Sequence, residues 1–296
     1  MHRRLIDPHK FNSCVNKMRE FFLKKNFVEV HTQNALSILA ACEDPTTIST
    51  YQYNGKVWPL PQTGQMWLED VLLKNKSLDG VFCVSTSYRN EPTPVPGRHD
   101  LIFPMFEFES KGGMDVMIDL EKELLEHLGF PKEEELPNDL EVDMINVEPT
   151  KYVYPEGDYL DVAKRYKTKE IEHEHEKKLL HDHGPVYLLK NFPIYTSPFW
   201  NMKVDIEKGT ANKVDVILQG VETIGSAERS TSPEEMKLMF DTISDGEYKD
   251  ILYTNFSKER VDRELDEFLS HDFFPRFGGG IGVTRMISAM DHNNLL

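Results

Sequence analysis

Cysteine is scarce: three occur in 296 residues, Cys14, Cys42 and Cys83, widely separated and never in a C-x-x-C pair. Neither a disulfide framework nor a cysteine zinc site is indicated, and a reducing compartment is expected. Basic charge is also in deficit, with 34 Lys and Arg against 50 Asp and Glu, a formal net charge of -16. No strong nonspecific attraction to a nucleic-acid backbone or an anionic membrane follows, although a local basic groove stays open. No apolar run approaches the roughly 18 residues of a membrane span. The basic start, Met1-His2-Arg3-Arg4, meets Asp7 and Lys10 where a signal peptide would turn apolar, so a cytoplasmic location is expected. A P-loop is missing, because Gly55-Lys56 is followed by Val57. The dinucleotide fingerprint fails as well: counted from Gly278 or Gly280, its third glycine falls on Val283 or Arg285. No internal repeat is present.

What remains is ordinary globular composition, 39% hydrophobic and 28% charged with 17 Gly and 17 Pro, in a chain long enough for a buried core. Helical spacing of Phe11, Val15, Met18 and Phe22 predicts a helix from Asp7 to about Lys25, and Phe27-Val28-Glu29-Val30 alternates like a strand. A second helix is expected from Thr63 or Gly64. Gly80 to Arg89 and Phe103 to Phe108 read as a hairpin with a long Pro/Gly-rich loop, and 112 to 128 as an amphipathic helix. A polar insertion is expected at about 131–183, then strands at Val186–Leu189 and Val214–Leu218. The run Gly278-Gly279-Gly280-Ile281-Gly282 reads alone as a tight strand-to-helix turn. This order of elements predicts an α+β domain built on an antiparallel sheet.

Arg285 falls at the start of the expected last helix, where a guanidinium can lie over a flat π-system or meet a phosphate. It gains weight from the hairpin: Tyr88-Arg89-Asn90-Glu91, a loop, Arg98-His99-Asp100, then Phe103-Pro104-Met105-Phe106-Glu107-Phe108-Glu109. As residues i and i+2 of a strand, Glu107 and Glu109 share a face, and Glu107 is expected to be exposed. This hairpin resembles motif 2 of the class II aminoacyl-tRNA synthetases. Gly278 to Arg285 is similar to motif 3, and Phe21-Phe22 through Glu29-Val30-His31-Thr32 to motif 1, with Gln33 where that motif has Pro.

The resemblance implies the family's antiparallel β-sheet flanked by helices, and a site where a substrate carboxylate attacks the α-phosphate of ATP. The protein then chiefly aligns reactants and neutralises charge, and alignment alone can supply about 7–11 kcal/mol. Carried over by position, Arg89 would grip the α-phosphate and the substrate carboxylate, Glu91 the adenine amine, and Arg98 and His99 the γ-phosphate. Phe103 and Arg285 would sandwich adenine beside Gly280 and Gly282. Asp215 and Glu222, seven residues apart, would hold Mg2+ on the phosphates.

Leu60 to Glu69 resembles a stretch of asparaginyl-tRNA synthetases that includes Gln65; aspartyl relatives place Lys where this chain has Leu68. Glu69 would accept hydrogen bonds from a side-chain amide and repel a carboxylate, and Arg229 would meet the side-chain oxygen. Glu174 to Leu180 and Asn191 to Met202 resemble the same branch. These points favour asparagine as the amino acid to be activated. The alternatives are an ammonia-dependent asparagine synthetase acting on aspartate, and a noncatalytic paralogue that senses or binds. A single catalytic domain over 1–296 without an anticodon-binding domain is expected, as a homodimer and with tRNA open as an acceptor.

Overall fold

A computed structural model describes residues 5–33, 35–38, 47–92, 94, 100–134 and 152–296. The chain begins with α1 (Pro8–Lys24) and β1 (Phe27–Glu29). The Asp7 side chain accepts from the backbone N–H of His9 and Lys10, and Pro8 adds no orphan donor, so the helix start is satisfied locally. A small hairpin, β2 (Thr50–Tyr53) and β3 (Lys56–Pro59), precedes α2 (Gln65–Lys74). The predicted large hairpin follows as β4 (Gly80–Tyr88) and β5 (Ile102–Lys111), in register from Gly80 opposite Ser110 to Tyr88 opposite Ile102. Next come α3 (Met114–Leu128), closed by Gly129 in the left-handed region at φ 92°, then β6 (Glu133–Glu134) and β7 (Tyr152–Val153), which pair.

The middle of the chain contributes β8 (Glu156–Asp158), α4 (Tyr159–Tyr166), α5 (His173–His183) and β9 (Val186–Pro193). Then come β10 (Val204–Asp205), β11 (Thr210–Leu218) and β12 (Val221–Arg229), and the helices α6 (Pro233–Thr242), α7 (Glu247–Phe256) and α8 (Lys258–Leu269). The chain closes on β13 (Arg276–Gly282) and α9 (Val283–His292).

The strands form one nine-stranded sheet in the order β1-β4-β5-β13-β12-β11-β9-β8, with β10 beside β11. Its pairings are antiparallel except the two at its ends, β1 with β4 and β8 with β9. One face carries α1, α3 and α9 over Phe82, Phe106, Phe108, Val214, Val216 and Ile281. Phe22 of α1 anchors this layer, its ring centroid 5.1 Å from those of Phe106 and Phe108. Emptying that position to alanine would cost about 3–5 kcal/mol. Trp200, Phe240, Tyr248 and Phe268 form a separate aromatic core beneath α6–α8.

Two expectations are corrected. The polar insertion at about 131–183 ends earlier: β8 extends the main sheet, and Tyr159, Val162 and Leu179 bury against Tyr187, Leu189 and Ile217. Polar faces of α4 and α5 hid a narrow apolar stripe; residues 135–151 lie outside the described ones. The glycine run is a central strand instead of a turn, paired with β5 on one side and β12 on the other. Glycine is needed there because neighbours fill the space of a side chain: a Cβ on Gly279 would lie 2.8 Å from Ser226 Cβ and 2.9 Å from Phe108 Cζ.

Candidate active site

Strand alternation divides the chemistry of β5. Phe106 and Phe108 face the α1/α3/α9 layer, while Met105 and Glu107 line a cleft of 340 Å³ on the other face. The cleft is walled by Thr63 and Gln65 at the start of α2, by Arg89, Glu91 and Asp100 at the end of the hairpin, and by Phe103. Lys213, Glu222, Thr223, Gly225 and Arg229 enter from β11 and β12, and Gly280, Gly282 and Arg285 from β13 and α9. Nine of the expected site residues thus meet in one cleft: Gln65, Arg89, Glu91, Phe103, Glu222, Arg229, Gly280, Gly282 and Arg285. Arg98 and His99 lie outside the described residues.

The Arg89 guanidinium lies 5.5 Å from the Phe103 ring centroid. Arg285 projects from the first turn of α9 and donates from Nη1 to the Glu222 carbonyl at 2.7 Å, which fixes its approach to the cleft. Glu107, expected on an exposed face, is only 1% exposed. Its Oε2 accepts from the Gly64 N–H at 2.9 Å and from Ser85 Oγ at 2.6 Å, and its Oε1 from Thr63 Oγ1. Burial raises this carboxyl above the usual range, opposed by those hydrogen bonds and by the charge of Arg89. The i, i+2 pattern identified a shared face correctly; α2, packed across the hairpin, buries that face.

Against the floor of the cleft, four charged side chains are packed almost wholly out of solvent. Arg229 donates to Glu109 Oε1 from Nε at 3.2 Å and from Nη2 at 2.6 Å. Arg276 donates from Nε to Glu69 Oε2 at 2.9 Å. None of the four is more than 2% exposed. Burial pushes the Glu109 carboxyl upward against the pull of Arg229, whose own pKa the two carboxylates raise against burial. Glu69 therefore departs from its expected place at the substrate: it is absent from the cleft wall, and its Oε1 accepts from Asn201 Nδ2 at 2.5 Å. An unanticipated partner explains this, because Arg276 lies 207 residues away in sequence.

Asp215 and Glu222 stand on either side of Gly225, which pairs with Asp215 across β11 and β12. A Cβ at Gly225 would lie 3.2 Å from Glu222 Oε1 and 3.6 Å from Asp215 Oδ1, so the missing side chain leaves these two oxygens a shared space. Lys213 Nζ is 3.4 Å from Asp215 Oδ2. Glu222 lines the cleft, and Asp215, 7% exposed, lies just off its wall; the two carboxylates together fit Mg2+, which takes hard oxygen ligands and keeps others from water or phosphate.

The family model for class II tRNA synthetases (D, K and N) matches residues 9–294. The aspartate–tRNA(Asp) ligase of Pyrobaculum aerophilum is 24% identical over 298 residues, covering 94% of this chain and 62% of that protein. The cytoplasmic aspartate–tRNA ligase of Rattus norvegicus is 22% identical, covering 94% and 56%. Among solved structures, asparaginyl-tRNA synthetase from Pyrococcus horikoshii in complex with asparaginyl-adenylate superposes with a TM-score of 0.71 at 19% identity, covering 95% of this chain and 64% of that one. Aspartyl-tRNA synthetase from Entamoeba histolytica gives 0.65 at 17%, covering 95% and 54%. The chain spans less than two thirds of the length of these relatives. With the three motif segments on one sheet and a family match over nearly its whole length, the chain belongs to the class II tRNA synthetases of the D, K and N group.

Proposed function

We propose that this chain is an ATP-dependent ligase core that activates an amino acid of the aspartate/asparagine kind as its adenylate. The observation that carries this reading is the meeting, in one cleft, of Arg89 and Arg285 with Glu107 and Arg229. The first pair suits a triphosphate and a flat base; the second suits the ammonium and side-chain oxygen of a small zwitterion.

In this reading a carboxylate oxygen of the amino acid attacks the α-phosphorus, the bond to the bridging oxygen breaks, and pyrophosphate leaves. Arg89, 5.5 Å from Phe103, holds the α-phosphate and the attacking carboxylate and offsets the charge that builds between them. Phe103 and Arg285 flank adenine, and Glu91 accepts from its amine. Gly280 and Gly282 let the nucleotide approach the backbone. Arg98 and His99 serve the γ-phosphate. Glu107 and Gln65 receive the α-ammonium, and Arg229 the side-chain oxygen. Mg2+, held through Asp215 and Glu222, would neutralise phosphate charge. No enzyme nucleophile is required, since the substrate attacks.

The test is ATP–pyrophosphate exchange with a panel of amino acids. Exchange confined to aspartate, asparagine or both is expected; absence of exchange with every amino acid would overturn the activation reading in favour of a binding module. Adding ammonia or total tRNA identifies the acceptor by which of them drives AMP release.

A further inference from the structure

Arg276 is the first residue of β13 and is fully buried, at 0% exposure. Its Nη2 lies 2.8 Å from Glu69 Oε2, beside the bond from Nε. Its Nη1 donates to the Ser230 carbonyl at 3.0 Å, and the Phe273 ring centroid is 4.7 Å from its Cζ. A guanidinium held at Nε and Nη1 and against an aromatic ring in this way keeps its carboxylate in one position. The other Glu69 oxygen is occupied by Asn201, with Arg229 Nε 3.7 Å away. Of the four buried charges, Arg229 alone reaches the cleft wall.

We infer that Arg276 is a specificity-setting positioning residue: it holds Glu69 behind Arg229, so the side-chain end of the cleft presents a guanidinium with no free carboxylate beside it and takes a carboxylate in preference to a carboxamide. The inference rests on the activation reading above and refines its substrate. Arg229 gives Nε and one N–H of Nη2 to Glu109, and its remaining N–H groups are the donors it can offer on the cleft wall. A carboxylate can accept from them. A carboxamide turned the same way also brings two N–H donors, and the acceptor that would meet them, Glu69, is already engaged. Of the other acidic groups on the cleft wall, Glu107 is committed to Gly64, Ser85 and Thr63 and, in the activation reading, to the α-ammonium; Glu222 shares the space at Gly225 with Asp215, and Glu91 and Asp100 belong to the hairpin's far end. The identity of Glu69 alone would suggest an amide substrate; its partner reverses that expectation.

The experiment measures pyrophosphate exchange with aspartate and with asparagine at varied concentration. In the unaltered protein, kcat/KM for aspartate should exceed that for asparagine by at least about tenfold. Arg276→Met should shrink the ratio by about tenfold or more, through the KM for aspartate, with the KM for ATP held. Adding Glu69→Gln to that variant should restore the ratio, because an amide cannot neutralise Arg229. A purely structural role would depress both amino acids alike and leave the ratio unmoved, which would overturn the inference. Should Arg276→Met fail to fold, Arg276→Lys keeps the charge but loses the forked grip, and an unchanged ratio there has the same force. A preference for asparagine in the unaltered protein sinks the inference and spares the activation reading; exchange with neither amino acid sinks both.

Discussion

Arg229 Nη2 sits 2.6 Å from Glu109 Oε1, and neither side chain is more than 2% exposed. The pair joins the end of β12 to β5 across β13, so the cation that reaches the cleft is aimed by a carboxylate two strands away. Glu109→Gln removes that charge and leaves the guanidinium buried without its main partner. The variant should lose about 3 kcal/mol of stability and show a larger rise in amino-acid KM than in ATP KM. Denaturant unfolding and exchange kinetics measure the two effects, and equal rises in both KM values would count against a role for Glu109 in aiming Arg229.

Gly278 faces the same carboxylate. A methyl group there would overlap Glu109, whereas at Gly280 it would meet the mobile end of Met105 at 2.7 Å. Gly278→Ala should therefore lower the melting temperature more than Gly280→Ala, since Met105 can turn aside and a buried ion pair cannot. Calorimetry of the two variants decides it; the reverse order would contradict the packing described here.

The pair Asp215 and Glu222 can be tested without touching either residue. Gly225→Ala would place a methyl 3.2 Å from Glu222 Oε1 and 3.6 Å from Asp215 Oδ1. The Mg2+ concentration for half-maximal exchange should rise by about tenfold or more if metal occupies the space between them. An unchanged Mg2+ titration would remove the two carboxylates from metal binding.

Glu121, on α3, is 1% exposed, and burial raises its carboxyl to about 8, opposed by the hydroxyl of Ser226. The unfolded chain releases this proton from near the ordinary value of 4.5 upward, while the folded chain keeps it until about 8. The folded state thus binds more protons across that window, and its stability falls as pH rises through it, then levels off. Glu121→Gln mimics the neutral form, so its advantage in melting temperature should grow from about pH 5 to about pH 8 and then stay constant. A pH-independent difference would place the titration elsewhere.

Much of this architecture was legible in the sequence because its signals are local. The spacing of Phe11, Val15, Met18 and Phe22 marks α1, and the residues flanking Arg89 and Phe103 mark the hairpin that β4 and β5 form. What escaped depends on partners distant along the chain. The glycines of β13 show only that side chains are missing; that Glu109, Phe108, Ser226 and Met105 take up the room is a property of the neighbouring strands. Glu69 looked like a substrate contact because Arg276 lies far along the chain. One signal was available: Arg276 stands between Pro275 and Phe277, after Phe273 and Phe274, and a lone arginine in so apolar a setting calls for a buried anion. Glu107 shared its face with Glu109 as expected, but periodicity does not say which face another element covers. The stripe of Tyr159, Val162 and Leu179 was masked by the many charges around it.

The two-sidedness of β5 sets how this region can vary over time. The register of β4 and β5, from Gly80 opposite Ser110 to Tyr88 opposite Ile102, leaves no slack for a change of length inside the strand. A single deletion inside the strand would turn the phenylalanines toward the cleft and drive the carboxylates into the apolar layer beneath α1, α3 and α9. Related chains should therefore align without gaps from Phe103 to Glu109.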